Sequence, residues 1–304
     1  MNLSIIIVNW NTRDLLAKCL ASIFAYPPSS QFEVWVVDNA SSDGSTNIVS
    51  QDFPQVRLIR NSSNLGFARA NNQAIRQATG RYVLLLNPDT KVMPGALPVL
   101  VAFMDESPTS GAAGPRLLSP DGKLQISSHP SPTLLREFWR LFHLDNLRPY
   151  SVYAMHAWDL VHPRPVEVLQ GACLILRREA LDQIGLLDED YFIYSEEVDL
   201  CYRLKKAGWQ TYWVPESEVI HFEGQSTRLV AREMFLQLYK SKLLYFRKHH
   251  GSMTALTYKA ILFSAGIARL LVSPFAWLEH SQRRQKHLIL AGNYFRMLLA
   301  LPGM

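Results

Sequence analysis

Tyr82–Thr90 reads YVLLLNPDT, and the fold turns on this stretch. Tyr82 to Leu86 is a short, wholly apolar run, the pattern of a strand buried on both faces. Asn87-Pro88-Asp89 ends it, because Pro88 has no N–H to give a sheet ladder. One carboxylate, Asp89, is thereby presented just past the C-terminal end of a buried strand. In open α/β sheets that edge is where ligands bind. A carboxylate there can hold a divalent cation, and the cation can hold phosphate oxygens. The same three residues also suit a plain turn with Asp89 capping the next helix, so the decision passes to the flanking chain.

Upstream, Leu3–Val8 is a β-branched run expected to form the first buried strand. Leu15, Leu16, Cys19, Leu20, Ile23 and Phe24 then fall at helical spacing, and Tyr26-Pro27-Pro28 stops that helix. Phe32–Val37 predicts a second strand ending in Asp38-Asn39. Ser41–Ser45 is a turn-rich loop that can cap a short helix from Thr46, and Val56–Ile59 a third strand. Asn64-Leu65-Gly66-Phe67 opens a helix through Ala78. Strand and helix thus alternate up to Tyr82, which argues a mostly parallel sheet with helices on its faces. No GxGxxG is present, so the common dinucleotide fingerprint is absent.

Downstream, Pro94–Met104 predicts a helix and Ser119–Lys123 a reverse turn. Residues 129–165 read as irregular, rich in Pro, His and aromatics. Val166–Leu176 returns to strand character, Arg178–Ile184 to helix. A further helix begins at Glu196 and is ended by Gly208, with Glu196 and Glu197 in a first turn that suits negative charge. Thr211–Val214 is expected to be the last strand, with His221 following a loop. Helical patterns run from Arg232 to His249 and from Ala255 to Leu301.

The 304 residues are 48% hydrophobic and 19% charged, an ordinary globular composition. Cys19, Cys173 and Cys201 lie far apart without CxxC spacing, which argues against a disulfide framework or a zinc site and for a reducing compartment. Leu3–Val8 is too short, and lacks the basic leader, for a signal peptide. The net charge of +5 hides an asymmetry. Residues 1–227 hold 19 Lys+Arg against 24 Asp+Glu, whereas residues 228–304 hold 12 against 2. A basic, apolar tail suits an anionic membrane surface rather than nucleic acid.

Asp38, Asp43 and Asp89 each fall at or just after a strand end, and so along one sheet edge. A fourth acidic group, Glu196–Asp199, and a metal-competent His221 lie downstream. Six blocks then resemble, in order, the family 2 glycosyltransferases: IIIVNWN (5–11), VVDNASSDGS (36–45), NLGFARANN (64–72), LLLNPDT (84–90), GACLILRREAL (171–181) and YSEEVDLCYR (194–203). The resemblance covers about residues 1–230 and is nearest to the rhamnosyltransferase-like branch. It implies an α/β, GT-A-like fold of the nucleotide-diphospho-sugar transferase type, with a mostly parallel sheet, flanking helices and a helical C-terminal extension.

The resemblance also implies roles. Asp38 would accept the pyrimidine ring N–H of the nucleobase, and Asn9, in the first block, is a further nucleotide-sugar-binding residue. Asn64 and Gly66 would form the diphosphate-side loop, Gly66 allowing close backbone approach, and Arg69 would face the phosphates. Asn87 and Asp89 stand where the family carries DxD, with Asn in place of the first Asp. One certain carboxylate is left for a Mn²⁺ or Mg²⁺ ion, and His221, heading a segment like HxxGxS (221–226), would complete its shell. Glu197 aligns with the catalytic base, where Asp is commoner, and Glu196 remains its rival. An inverting transfer needs one base to deprotonate the acceptor hydroxyl and no enzyme nucleophile. Asp199 is expected to pair with Arg203, four residues on. Tyr194 is the aromatic chosen for stacking on sugar.

The expected organisation is a catalytic domain over 1–230, split into a nucleotide-sugar half (1–115) and an acceptor half (116–230), followed by a tail (231–304). The expected function is transfer from a nucleoside diphosphate sugar, dTDP-rhamnose preferred over a UDP-sugar, to a saccharide or lipid-linked saccharide in cell-surface polysaccharide synthesis. The alternatives are a sugar-phosphate nucleotidyltransferase and an inactive nucleotide-sugar-binding module of a membrane complex. Lys259 and Arg269 interrupt the apolar tail, so a helix lying in the membrane interface is expected, not a spanning one. That places the chain in the cytoplasm, on the inner face of the membrane. A cap on the catalytic domain or a homodimer contact is the alternative use of the tail.

Overall fold

The computed structural model describes residues 1–222, 230–274 and 281–304, the side chains of 281–283 and 286 excepted. Gly224 and Ser226 of the HxxGxS-like segment, and the side chains of Arg283 and Lys286, lie outside the described residues. The elements run β1 (Leu3–Asn9), α1 (Arg13–Ala25), β2 (Phe32–Asp38), α2 (Ser45–Asp52), β3 (Arg57–Arg60), α3 (Phe67–Ile75), β4 (Tyr82–Leu86), β5 (Thr90–Val92), α4 (Ala96–Glu106), β6 (Ser110–Leu118) and β7 (Ser128–His129). There follow α5 (Leu134–Leu141), β8 (Arg164–Pro165), β9 (Val168–Leu169), β10 (Cys173–Arg177), α6 (Arg178–Ile184), α7 (Glu196–Lys206), β11 (Gln210–His221), α8 (Ala231–Val272) and α9 (Ser281–Ala300). Two compact units result. One comprises Met1–Ser131 with Tyr153–Leu229, the other Pro132–Val152 with Val230–Met304.

The first unit is built on one sheet in the order β3-β2-β1-β4-β10-β6-β11-β5, with β8 beside β11. β3, β2, β1 and β4 are mutually parallel, as β–α alternation requires. β10 runs antiparallel to both β4 and β6, and β11 parallel to β6. The architecture is therefore the expected GT-A-like α/β one. β4, the apolar run at its centre, is buried along its whole length. Leu3, Ile5 and Ile7 of β1, Leu84 of β4 and Ile175 of β10 form one core with Leu16, Leu20 and Ile23 of α1 and Leu97 and Leu100 of α4. The two-residue periodicity of strands and the 3.6-residue periodicity of helices place those side chains on one face.

Three local readings need correction. The last strand does not stop at Val214. It continues to His221 across a register shift between Val214 and Glu218. Pro215 sits at the irregularity, where a missing N–H costs no ladder bond. His221 is thus a strand residue, paired with Thr90 of β5. Val166–Leu176 is not one strand but two, interrupted by a turn at 170–172. Residues 129–165 contain a true helix, α5, whose start is capped by Thr133 Oγ1 accepting from the N–H of Arg136 at 3.1 Å. Its buried face carries Glu137, a residue that marks a solvent face in most helices, and this disguised it.

The second unit is helical. α8 passes through Gly251 in an extended left-handed conformation (φ 85°, ψ 167°) that breaks the helix there. Gly266 lets α9 approach closely, since a Cβ there would meet Leu298 Cδ2 at 2.8 Å. Within this unit Glu137 is enclosed by cations. Arg140 Nη2 lies 2.6 Å from Oε2, Lys242 Nζ 2.7 Å from Oε1, and Tyr258 Oη donates to Oε2 at 2.9 Å.

Candidate active site

Parallel pairing of β1 with β2 sets Asn9 opposite Asp38 at the C-terminal edge. Asn9 Nδ2 donates to Asp38 Oδ2 at 2.9 Å and to Ser41 Oγ at 3.1 Å. Thr12 Oγ1 donates to Asn9 Oδ1 at 2.6 Å, which fixes the amide's orientation. The N–H of Ser41 reaches Asp38 Oδ1 at 2.8 Å. Asp38, only 2% exposed, is therefore a carboxylate locked in place by its own loop. Asp43 serves that loop differently, accepting from the N–H of Arg13 and from Ser45. Burial opposes the ionised form, but the bonds from Ser45 and Arg13 win and hold its carboxyl below the usual range.

The Asn64–Gly66 loop is tied to this edge and to the acidic helix. Asn64 Oδ1 accepts from the N–H of Gly66 at 3.0 Å, and Asn39 Nδ2 donates to the Gly66 carbonyl at 3.1 Å. The N–H of Phe67 donates to the Phe192 carbonyl at 2.6 Å. A Cβ on Gly66 would lie 2.4 Å from that carbonyl oxygen, so only glycine fits. Arg69, on the exposed side of α3, faces Glu189 with Nε 3.3 Å from its carbonyl.

The Asn87–Asp89 turn is held from two sides. The N–H of Asn87 donates to Ala172 O at 2.9 Å, and Thr90 Oγ1 donates to Asn87 O at 2.7 Å. Antiparallel pairing of β5 with the end of β11 brings His221 alongside, and the N–H of Phe222 donates to Asp89 O at 2.9 Å. His221 Nε2 lies 3.4 Å from Asp89 Oδ1, with both residues buried. Gln125 sets the imidazole. Its Nε2 donates to the His221 carbonyl at 2.9 Å, which turns its Oε1 toward Nδ1 at 3.2 Å. Nε2 is thus the ring nitrogen turned to the carboxylate oxygen, and a proton or a cation between the two would join them. Carboxylate oxygen plus imidazole nitrogen suits Mn²⁺ or Mg²⁺ with further positions left for ligand oxygens. Among the described residues no group of three or more His, Cys, Asp or Glu side chains forms a closed metal cage.

The acidic helix α7 is launched by two consecutive non-glycine residues in the left-handed region, Tyr194 (φ 69°) and Ser195 (φ 67°). With Asn11 and Ala40, four of the five such residues among the described ones flank this edge, a concentration expected where geometry is held for function. Glu196 is 5% exposed, and its Oε2 has no hydrogen-bond partner. Burial first, then the neighbouring Glu197, push its carboxyl well up from the ordinary range. Glu197 is half-buried, its Cβ 3.8 Å from where a Cβ on Gly171 would stand. Gly171 precedes Ala172, whose carbonyl holds Asn87, so the β10–β4 pairing carries α7 toward the Asp89 turn. Asp199 takes the other course. Arg203 Nη2 pairs with it at 2.7 Å, as the four-residue spacing predicts, and binds the carbonyls of Ile184 and Leu186.

The structure thus gathers Asn9, Asp38, Asn64 and Gly66 into one hydrogen-bonded group, and Asp89 with His221 into another. Asn87, half-buried, links the second to Gly171 and Glu197. Tyr194 stands at the strained turn between them, and Arg69 lies apart with Glu189. Sequence reading missed Gln125, Ser41 and Asn39. Gln125 carried no signal, because its partner is 96 residues away; Ser41 and Asn39 lay inside a quoted block but read as turn residues.

Residues 4–185 match the model of glycosyl transferase family 2. Across 94% of its length and 97% of the relative, the chain is 29% identical to the N-acetylglucosaminyl-diphospho-decaprenol L-rhamnosyltransferase of Mycobacterium tuberculosis. It is 26% identical to the rhamnosyltransferase WbbL of Escherichia coli over 80% of this chain and 92% of that one. A mannosyltransferase from Pyrobaculum calidifontis, solved in complex with GDP-Man and Mn²⁺, superposes with a TM-score of 0.60 at 18% identity, over 99% of this chain and 86% of that one. That likeness is one of fold. The family match spans more than half of the chain and takes in β1, β2, β4 and the Asn87–Asp89 turn: the chain belongs to glycosyl transferase family 2 and is a glycosyltransferase.

Proposed function

We propose that the chain moves a sugar, with inversion, from a nucleoside diphosphate donor to a saccharide or lipid-linked saccharide in cell-surface polysaccharide synthesis, working in the cytoplasm. What supports this is the placement of two carboxylates at strand ends, Asp38 locked at the end of β2 and Asp89 against His221, with Glu197 of α7 beside Gly171. dTDP-rhamnose is the preferred donor, supported by the two rhamnosyltransferases that align over most of the chain.

Asp38 accepts the ring N–H of uracil or thymine, and its locked geometry means the bond costs little ordering. The Asn64–Gly66 loop lets the diphosphate approach the backbone, with Arg69 as the nearby cation. Asp89 and His221 are the residues that would hold Mn²⁺ or Mg²⁺, which when bound neutralises charge on the leaving diphosphate. Glu197 takes the proton of the acceptor hydroxyl as its oxygen bonds to the anomeric carbon. The bond from that carbon to the diphosphate oxygen breaks on the opposite face. Burial, then the neighbouring Glu197, raise the Glu196 carboxyl, which favours Glu197 over Glu196 as the base of the pair. Tyr194 offers its ring to the sugar.

The test is a thermal-shift comparison of dTDP, UDP, GDP and CDP with and without Mn²⁺. A ligand of the folded state raises the midpoint by mass action. The expected result is a shift with dTDP or UDP that grows with Mn²⁺ and loses that growth in Asp89→Ala. A shift with GDP alone would overturn the role of Asp38, and silence from all four would overturn the donor class.

A further inference from the structure

α8 is long and apolar enough to cross a membrane by length and composition. The structure shows which side of it is available. Beyond Gly251, the side toward the protein carries Tyr258, Leu262, Ala265 and Gly266, all buried. The other side carries Met253, Leu256, Phe263, Ile267 and Leu271, exposed by 76%, 60%, 54%, 38% and 70%. Their spacing of three, seven, four and four residues is one helical stripe.

Two further observations say what covers that stripe. From Gly251 to Pro274 no exposed residue is charged. Lys259 and Arg269, which interrupt the sequence, are only half-exposed, and Arg269 turns to the Leu141 carbonyl and the Tyr294 ring. Three hydroxyls along the stretch are satisfied within the helix. Thr254, Thr257 and Ser264 each donate to the carbonyl four residues back, at 2.7, 2.9 and 2.9 Å. Those three hydroxyls need no water, the condition a helix must meet in lipid. α9 repeats the pattern with Leu288, Gly292, Phe295 and Leu299 exposed at helical spacing and Arg296 at the margin. Charge completes the match. This unit holds 14 Lys+Arg against 4 Asp+Glu. Arg247 and Lys248 are exposed just before Gly251, and Arg284 and His287 stand near the start of α9.

We infer that the apolar stripe of α8 beyond Gly251, with that of α9, lies in the surface of an anionic bilayer. One face of α8 is packed in protein, so the helix rests in the interface plane and does not cross it. The basic residues at the two ends of the apolar stretch sit at headgroup level. The inference goes beyond the donor and acceptor chemistry and does not depend on which sugar is moved.

The test is flotation of the full-length chain with vesicles of phosphatidylcholine alone and of phosphatidylcholine with phosphatidylglycerol. The expected result is flotation with the anionic vesicles, weakened by high salt and released by alkaline carbonate. Phe263→Asp with Ile267→Asp is expected to lower partition by about tenfold or more, since two large apolar side chains leave the interface. Both positions are exposed, and light scattering with thermal melting confirms folding and oligomeric state. Equal flotation of the double variant overturns the inference. So does resistance to carbonate, which marks a spanning helix. So does a dimer in the parent chain that the variant dissolves, which marks a self-association face. The nucleotide thermal shift is measured on the same samples. If it persists while flotation fails, the docking surface falls and the transferase reading stands; the reverse result separates them the other way.

Discussion

Two glutamates, one in each unit, are buried to the same degree and treated in opposite ways. Glu137 is met by Arg140, Lys242 and the Tyr258 hydroxyl. Burial alone would raise its carboxyl, but Lys242 and then Arg140 overcome that and hold it at about 2. Among the described residues no cation pairs with Glu196. Burial and Glu197 raise it, and one of its oxygens has no hydrogen-bond partner. The first arrangement joins α5 to α8 and serves the fold. The second leaves electrostatic tension beside Glu197, the proposed base, the pattern expected at a reacting site. Asp199, one turn further along α7, confirms the distinction, because it has its arginine.

The largest effect should come from Glu197→Gln. Removing a general base costs about 10²–10⁴-fold in turnover, and the nucleotide-induced thermal shift should be unchanged. Turnover within a few-fold of the parent would move the base to Glu196 and collapse the contrast.

Next is Glu137→Ala, which strands Arg140 and Lys242 without their partner. Breaking a buried pair in this way costs about 3–5 kcal/mol, read from urea unfolding. The parent chain should also show the linkage. A depressed carboxyl adds stability that is complete above the ordinary value of 4.5 and is lost as pH falls from there toward 2. That acid limb should flatten in Glu137→Gln.

Glu196→Gln should act with the opposite sign and less force. A raised carboxyl favours the fold fully below 4.5 and loses that contribution as pH rises. The amide variant should therefore gain stability relative to the parent as pH climbs from about 4.5 toward neutrality. Its pH–rate profile should change, while turnover stays within about tenfold of the parent. A variant that loses stability on that limb would mean Glu196 is ionised and paired. Smallest is Arg69→Ala. Its exposed contact with Glu189 is worth about 1 kcal/mol or less, so unfolding should barely move and only the Michaelis constant for donor should respond.

Much of this candidate site is legible in the sequence. β1, β2 and β4 announce themselves as apolar runs, and Asp38 and Asp89 follow directly from where those runs stop. Gly66 and the double glutamate of α7 stand at recognisable helix starts. Less legible was the route by which His221 reaches Asp89. That needs β11 to run through Pro215 and the short β5 to fold back against it, a pairing across more than a hundred residues. Gln125, which orients the imidazole, is set by the same long-range closure. α5 was hidden because its buried face is charged, and its cations come from within α5 and from α8, a hundred residues on. Lys259 and Arg269 needed the structure for their exact placement. In sequence they interrupt an apolar run, whereas on the helix they stand off its exposed stripe.

By itself, the sequence determined the α/β alternation, the strand ends that present carboxylates, the family, and the basic, apolar character of the C-terminal helices. These are local matters of periodicity, turn chemistry and composition, settled within a few residues. Tertiary structure alone decided which carboxylates are paired and which are left without a counter-ion, which imidazole nitrogen faces Asp89, and which side of α8 stays bare. Each of those depends on desolvation and on partners brought from far along the chain, and neither can be counted from neighbours in sequence.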